Sequence, residues 1–211
     1  MRQVVIPAAG MGTRLGKITN EMPKCMIAVN GETLISRCLR QIDNLGFDRV
    51  IIVTGHEAER LESHIHALHL NTTVYFTHNE NYETTNNIVS VLNALQEFDV
   101  IDTLLIESDL IFEEKLLTDF LEEPGSNVLL SPYKNFMDGT VVKIKNGEIL
   151  FSEVQNTESD KELLKTVNIY YFEKDFIINI FKPLLKMFVS LGQKQSYYET
   201  PLKLISELKL R

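Results

Sequence analysis

Short apolar runs alternate along the first half of the chain with segments whose apolar positions recur every three or four residues. Val4 to Pro7 reads as a buried strand. From Thr33 to Leu45, the positions Leu34, Ile35, Cys38, Leu39, Ile42 and Leu45 fall on one helical face, and Gly46 stands where a helix C-cap is expected. Val50 to Thr54 is a β-rich apolar run. Glu57 to Leu70 is a weaker amphipathic helix, and Val74 to Thr77 a short strand. Helical spacing returns from Thr85 to Glu97 through Ile88, Val91, Leu92 and Leu95. Thr103 to Ile106 reads as an apolar strand, Glu113 to Leu121 as a helix and Val128 to Ser131 as a strand. Such β-α-β-α alternation predicts an α/β fold with a Rossmann-like, doubly wound, mixed but mostly parallel sheet.

The pattern changes after that. Thr140 to Lys145 and Glu148 to Val154 read as strands joined by Asn146-Gly147, a strong hairpin signal. Val167 to Phe172 is a further strand. Lys174 to Leu191 reads as helical with an interruption at Pro183, and Tyr198 to Leu210 as a closing helix whose first turn tolerates Pro201. With no repeat, linker or low-complexity run, residues 1–211 are expected to form one domain with a small antiparallel insertion.

Composition narrows the function classes. The 211 residues are 44% hydrophobic and 24% charged, with a net charge of -8 and no basic run. This argues against nucleic acid as the main partner. No apolar stretch reaches the roughly 18 residues needed to span a bilayer, so no membrane insertion is expected. The N-terminus carries no signal-peptide pattern, and the two cysteines, Cys25 and Cys38, form no disulfide framework. A cytoplasmic setting is the expectation. Cys38 falls on an apolar helix face, and Cys25 reads as a small residue packing under a loop, although its neighbour Lys24 could activate it. His64, His66 and His69 do not form a ligand set: in a helix only His66 and His69 share a face, and solvent exposure is the simpler reading.

Chemistry concentrates in Val4-Val5-Ile6-Pro7-Ala8-Ala9-Gly10-Met11-Gly12-Thr13-Arg14-Leu15 and in Met22-Pro23-Lys24. Gly10 and Gly12 allow backbone N–H groups to approach an anion without an intervening Cβ. Arg14 offers a fork and Lys24 a point charge for phosphate. The dinucleotide motif G-x-G-x-x-G is not completed, because Leu15 takes the third position and Gly16 comes one residue late. The acidic residue expected after the second strand is replaced by Thr54-Gly55-His56. The string AAGMGTRL followed by PK resembles the signature loop of the sugar-nucleotidyltransferase superfamily. The resemblance implies transfer of a nucleotidyl group from a nucleoside triphosphate to a phosphorylated acceptor, with loss of pyrophosphate. It places Ala8, Ala9 and Gly10 against base and ribose, Gly12, Thr13 and Arg14 on the β- and γ-phosphates, and Lys24 between the α-phosphate and the acceptor phosphate. Lys24, Arg14 and Asp109 are then the catalytic candidates.

Leu104 to Leu110 reads as a buried strand ending in the acidic turn Glu107-Ser108-Asp109, where the crevice of an open α/β sheet lies. The resemblance gives Asp109 a Mg²⁺ ion and Glu107 a supporting part; capping of a turn is the other reading of Asp109. Asn79-x-x-Tyr82-x-x-Thr85-Asn86-Asn87-Ile88 reads as a polar loop with Thr85 or Asn86 as helix N-cap. It is also similar to a segment of the phosphocholine and phosphonate cytidylyltransferase branch, which implies nucleotide contacts at Asn79, Thr85 and Asn86 and CTP as the nucleotide. Segments around Asp138, Asn168, and Tyr197-Tyr198-Glu199 resemble the same branch, and nucleotidyltransferase domains fused to class I/II aminotransferases. By that resemblance Asp138, Asn168, Tyr198 and Glu199, with Lys24, line the acceptor pocket, and an aminotransferase domain accompanies the chain in its full-length protein. The residues alone equally allow Tyr170, Tyr171 and Tyr197 to be core and Glu199 to cap the last helix. Relatives continue into a strand carrying a second metal-binding Asp. This chain stops at Arg211, so the resemblance implies a domain without that strand. A sugar-1-phosphate uridylyl- or thymidylyltransferase and a non-catalytic nucleotide-binding module are the alternatives.

Overall fold

In the computed structural model, residues 1–13, 16, 22–146, 148–153 and 162–207 are described. Strand β1 (Arg2–Pro7) lies at the centre of the sheet. It pairs in parallel with β4 (Arg49–Thr54) on one side and β6 (Asp102–Ile106) on the other, and β5 (Thr73–His78) lies parallel to β4 at the edge. These strands are short because each spans only the thickness of the core. Alternate side chains go to opposite faces. Val4, Ile6, Val50, Ile52, Leu104 and Ile106 join one core, and Val5, Ile51, Val53 and Leu105 the other. With both faces covered, the strands read as continuous apolar runs rather than alternating ones.

Helices α1 (Leu34–Asp43), α2 (Ala58–His66) and α4 (Glu114–Glu122) supply the first core, and α3 (Asn87–Glu97) the second. The connection from β1 to β4 therefore covers one face of the sheet and that from β5 to β6 the other, which opens a crevice beyond the C-terminal end of β1. Thr33 caps α1 by accepting from the Ser36 N–H at 3.2 Å. His64 Nε2 lies 2.9 Å from the Thr33 hydroxyl and 2.8 Å from that of Ser36, so this histidine is a half-buried brace of the cap and not a solvent-exposed residue. Helix α2 is shorter than its pattern suggests, since Glu57 and His69 take positive φ values of 51° and 50° at its two flanks.

The antiparallel strands extend the main sheet. Strand β10 (Leu164–Phe172) carries β7 (Asn127–Pro132) along one edge. Along the other it pairs with β8 (Thr140–Lys145) at its first residues and with β6 at its last. β9 (Glu148–Glu153) closes the hairpin with β8, and Asn146 takes φ 53° at its turn, whose Gly147 lies outside the described residues. Between the stretches that pair with β8 and β6, β10 shifts register against β7 and takes φ 60° at Asn168, whose carbonyl accepts from the Glu107 N–H at 3.3 Å. A fork opens there. The sequence pattern did not reveal a two-residue hairpin, β2 (Ala28–Val29) and β3 (Glu32–Thr33), joined by Asn30-Gly31.

The C-terminal helices depart from expectation in two places. Helices α5 (Lys174–Phe176) and α6 (Lys182–Ser190) are joined by a π-turn over Ile177–Phe181, so the Pro183 ring is absorbed without a break. Among the described residues, the closing helix α7 begins only at Leu202 and covers Leu202–Glu207, and residues 198–201 form turns; residues 208–211 lie outside the described set. Among the described residues, no helix is long and apolar enough to cross a membrane.

Candidate active site

The loop after β1 is held by the end of β4. The Ala8 N–H donates to the Val53 carbonyl at 2.9 Å, and the His56 N–H to the Ala9 carbonyl at 3.1 Å. A Cβ on Gly55 would come within 2.8 Å of the Ala9 Cβ, the Ala9 carbonyl oxygen and the Tyr82 Cβ. The Thr54-Gly55-His56 sequence therefore has a steric cause: only glycine lets the two loops touch. Gly12 has φ 63°, whereas a Cβ on Gly10 would meet open space, the space a ligand needs.

Two lobes of one cleft lie over this loop. The first, of about 180 Å³, is bounded by Ala8, Ala9, Gly10, Gly12, Asn79, Thr85 and Asn86. The second, of about 410 Å³, occupies the fork between β6 and β8 and is bounded by Asp138, Asn168 and Glu199. Lys24, Asn87, Glu107 and Asp109 face both lobes. Lys24 sits on the 3₁₀ turn Lys24–Met26 that follows Pro23, and its Nζ is ion-paired with Asp109 Oδ2. Beneath it Cys25 is buried, and desolvation pushes its thiol up to about 12, so Lys24 does not activate it.

Glu107 lies below the pair. Its carboxylate accepts from Asn87 Nδ2 at 3.0 Å, and Asn87 Oδ1 accepts from the Tyr198 N–H at 3.0 Å. Burial, and then the charges of Asp109 and Glu199, push the Glu107 carboxyl up to about 8. In the second lobe, Glu199 accepts from Thr140 Oγ1 at 2.7 Å, Thr166 Oγ1 at 2.9 Å and the Tyr170 hydroxyl. Lys165 Nζ lies 2.6 Å from the Thr166 carbonyl.

Residues 4–164 match the MobA-like NTP transferase domain family. The chain belongs to that family. It is 29% identical over 203 residues to CMP-5'-(3-aminopropyl)phosphonate synthase of Streptomyces rubellomurinus, a match covering 93% of this chain and 32% of that protein. The chain thus spans about a third of that relative's length. It is 24% identical over 212 residues to choline-phosphate cytidylyltransferase of Haemophilus influenzae, covering 98% of this chain and 85% of that one. The structure of UDP-glucose pyrophosphorylase complexed with UDP-glucose superposes with a TM-score of 0.78 over 99% of this chain and 88% of that one, at 16% identity. The mixed, mostly parallel sheet with its added antiparallel strands is the fold of these nucleotidyltransferases.

Within this MobA-like domain, the residues expected to contact substrate are distributed unevenly. Ala8, Ala9, Gly10, Gly12, Asn79, Thr85 and Asn86 line the first lobe, and Lys24, Asp138, Asn168 and Glu199 the second. Thr13 is exposed and outside both linings, and Arg14 lies outside the described residues. Tyr198 is in the core: it is 1% exposed and packs edge-on against Tyr170, with ring centroids 5.8 Å apart. Its neighbour Tyr197 faces the second lobe instead, where the chain turns before α7. Asn79 is used internally, donating to Thr85 Oγ1 and Ser90 Oγ at 3.1 Å each and accepting from the Asn81 N–H at 3.1 Å; it staples the polar loop. Asn86 is the α3 N-cap, accepting from the Asn87 N–H at 2.8 Å. Tyr197, which the residues alone allowed to be core, is instead 42% exposed on the second lobe. Asn87 and Lys165 were not singled out by sequence reasoning, and only the packing shows that their side chains meet the cleft.

Among the described residues, no group of three or more His, Cys, Asp or Glu side chains is placed to hold a metal ion. Asp109 and Glu107, two residues apart on the turn after β6, instead form a partial donor set. Such a set suits Mg²⁺ completed by phosphate oxygens and water.

Proposed function

We propose that this domain transfers a cytidylyl group from CTP to a small phosphorylated or phosphonate acceptor and releases pyrophosphate. The observation that carries the reading is the Lys24–Asp109 ion pair at the junction of the two lobes. A nucleotide in the first lobe and an acceptor in the second would meet at those two side chains. An acceptor oxygen attacks the α-phosphorus in line. A new P–O bond forms as the bond to the β-phosphate oxygen breaks, and pyrophosphate leaves with the electron pair. Lys24 lowers the repulsion between the two anions and stabilises charge developing in the transition state. Arg14, Thr13 and the backbone at Gly12 hold the β- and γ-phosphates; Ala8, Ala9 and Gly10 face base and ribose.

Asp109, supported by Glu107, would hold Mg²⁺. When bound, that cation neutralises charge between the two phosphoryl groups. Catalysis then rests on positioning and electrostatics, with no covalent intermediate on the protein. Cytidylyl transfer is supported by the activities for which the two sequence relatives are named. A fused aminotransferase domain belongs to the same proposal and rests on the motif resemblance alone.

Calorimetric titration of CTP, UTP, dTTP, ATP and GTP with Mg²⁺ tests the nucleotide. Preference for CTP supports the reading, and preference for UTP or dTTP redirects it to sugar phosphates. Replacing Lys24 by Ala should lower turnover by about 10²–10³-fold while nucleotide binding survives. Undiminished turnover overturns the role of Lys24. Nucleotide binding without turnover in the unaltered protein would mark a binding module.

A further inference from the structure

Asn87 stands in the first turn of α3, but its side chain does nothing for the helix end. Asn86 is the cap, and Asn87 lines both lobes of the cleft instead. Asparagine is a weak helix former, so propensity does not account for it there. Both ends of its amide are engaged. Nδ2 donates to Glu107 Oε1 and Oδ1 accepts from the Tyr198 N–H, each at 3.0 Å. A short carboxamide supplies a donor and an acceptor together without charge. Aspartate would keep the acceptor but turn a second carboxylate onto Glu107.

The two groups it joins serve opposite sides of the proposed transfer. Glu107 directly follows β6 and leads into the turn that carries Asp109; its own N–H donates to the Asn168 carbonyl at 3.3 Å. Tyr198 precedes Glu199, whose carboxylate is fixed on the wall of the second lobe by the hydroxyls of Thr140, Thr166 and Tyr170. Neighbouring residues repeat the link. The Asn86 N–H donates to the Lys194 carbonyl at 2.8 Å, Asn86 Nδ2 to the Gln195 carbonyl at 3.2 Å, and Gln195 Nε2 to the Thr84 carbonyl at 2.5 Å. Residues 84–87, beside the first lobe, are thus zipped to residues 194–198, beside the second. The side-chain bonds of Asn86 and Gln195 are exposed to water, whereas those of Asn87 are half-buried, where an unmade bond costs more.

We infer that Asn87 is a positioning residue for the transfer: acting through Glu107, it holds the Lys24–Asp109 junction in register with the acceptor wall. The inference rests on the transferase reading and adds to it a side chain that touches neither reacting phosphate. Releasing the clasp lets the wall shift against the junction, and a displacement of about 1 Å from an in-line geometry costs about 10²-fold.

The test uses the full chain with Mg²⁺ and whichever nucleotide binds most tightly. Initial rates of pyrophosphate release are measured with phosphocholine, 2-aminoethylphosphonate and glucose 1-phosphate, and the best acceptor is kept. Asn87→Ala should lower kcat by about 10–100-fold while the calorimetric Kd of the nucleotide changes little. In a Glu107→Ala background the same replacement should cost far less, since the group it acts through is gone. Asn87→Asp, whose charge suits a helix N-terminus, should keep the Tm and still lose at least as much kcat as Asn87→Ala. An undiminished kcat in Asn87→Ala, or an equal fall in both backgrounds, overturns this inference and leaves the transferase reading standing. No pyrophosphate release by the unaltered protein with any of the acceptors overturns both.

Discussion

At the residue scale, the cleft depends on positions whose neighbours leave no latitude. Gly55 is one. A methyl group there would drive into the Ala9 carbonyl, which cannot yield without moving the loop. Gly55→Ala should lower stability by about 1–3 kcal/mol in chemical denaturation. It should also weaken nucleotide binding, since the displaced loop forms the floor of the first lobe. Unchanged binding in calorimetry would mean that the loop is not held from β4. The two cysteines supply a chemical check. Burial pushes both thiols up to about 12, so neither is a thiolate at pH 8. The native protein should resist alkylation by maleimide at that pH, and both residues should label once it is unfolded. Rapid labelling of native Cys25 would show the Lys24 turn open.

At the element scale, capping and stapling groups set where helices and loops end. Asn86 fixes the start of α3, which aligns Asn87 with Glu107; Asn86→Ala should destabilise by about 1 kcal/mol. Asp43 ties the end of α1 to the start of β5. It accepts from the Asn71 N–H at 3.1 Å, the Asn71 side-chain amide at 3.0 Å and the Thr72 N–H at 2.6 Å. Partial burial raises its carboxyl, but these hydrogen bonds outweigh that and hold it below the usual 3.8. Because the native state favours the charged form, the stabilisation is complete above the ordinary carboxylate range and is lost as pH falls through the lower native value. Asp43→Asn should therefore lower the Tm at pH 7, and the gap from the unaltered protein should close in acid. A gap that persists at low pH would assign the effect to shape rather than charge. The α1 face was fully legible in the sequence, because its apolar spacing follows from helix geometry alone. Asp43 was not, since its partners lie 28 and 29 residues away.

At the scale of the whole molecule, the cleft exists because the sheet divides. β10 gives up its edge to β6 at one end and to β8 at the other, and the gap between them becomes the second lobe. The Lys24–Asp109 pair that crosses this junction places an ammonium where the proposed metal would bind. Lys24→Met should therefore tighten binding of Mn²⁺ without nucleotide, read by electron paramagnetic resonance, even as turnover falls. Unchanged or weaker Mn²⁺ binding would separate Asp109 from the metal. Nucleotide with metal should also raise the Tm, since it binds the native state alone, and chelation of the metal should reverse most of that gain.

The sequence by itself determined the long strands of the main sheet, the order of the α and β elements and the glycine-bearing loop after β1, though not the β2–β3 hairpin. Each of these follows from local spacing: apolar runs for strands buried on both faces, a helical period for α1 and α3, and glycine where the backbone must stay bare. Tertiary structure alone decided the rest. Tyr197 and Tyr198 are adjacent and chemically alike, yet one faces the cleft and the other fills the core, because the chain turns there with the Tyr198 N–H held by Asn87 Oδ1. Asn79 carries an amide suited to reading a base, yet the packing of its loop consumes it. Glu107 and Glu199 lie 92 positions apart in the chain, but the fork between β6 and β8 brings them to one wall. Spacing along a chain specifies a face. Which faces meet, and what they enclose, is specified by the contacts between elements distant in sequence.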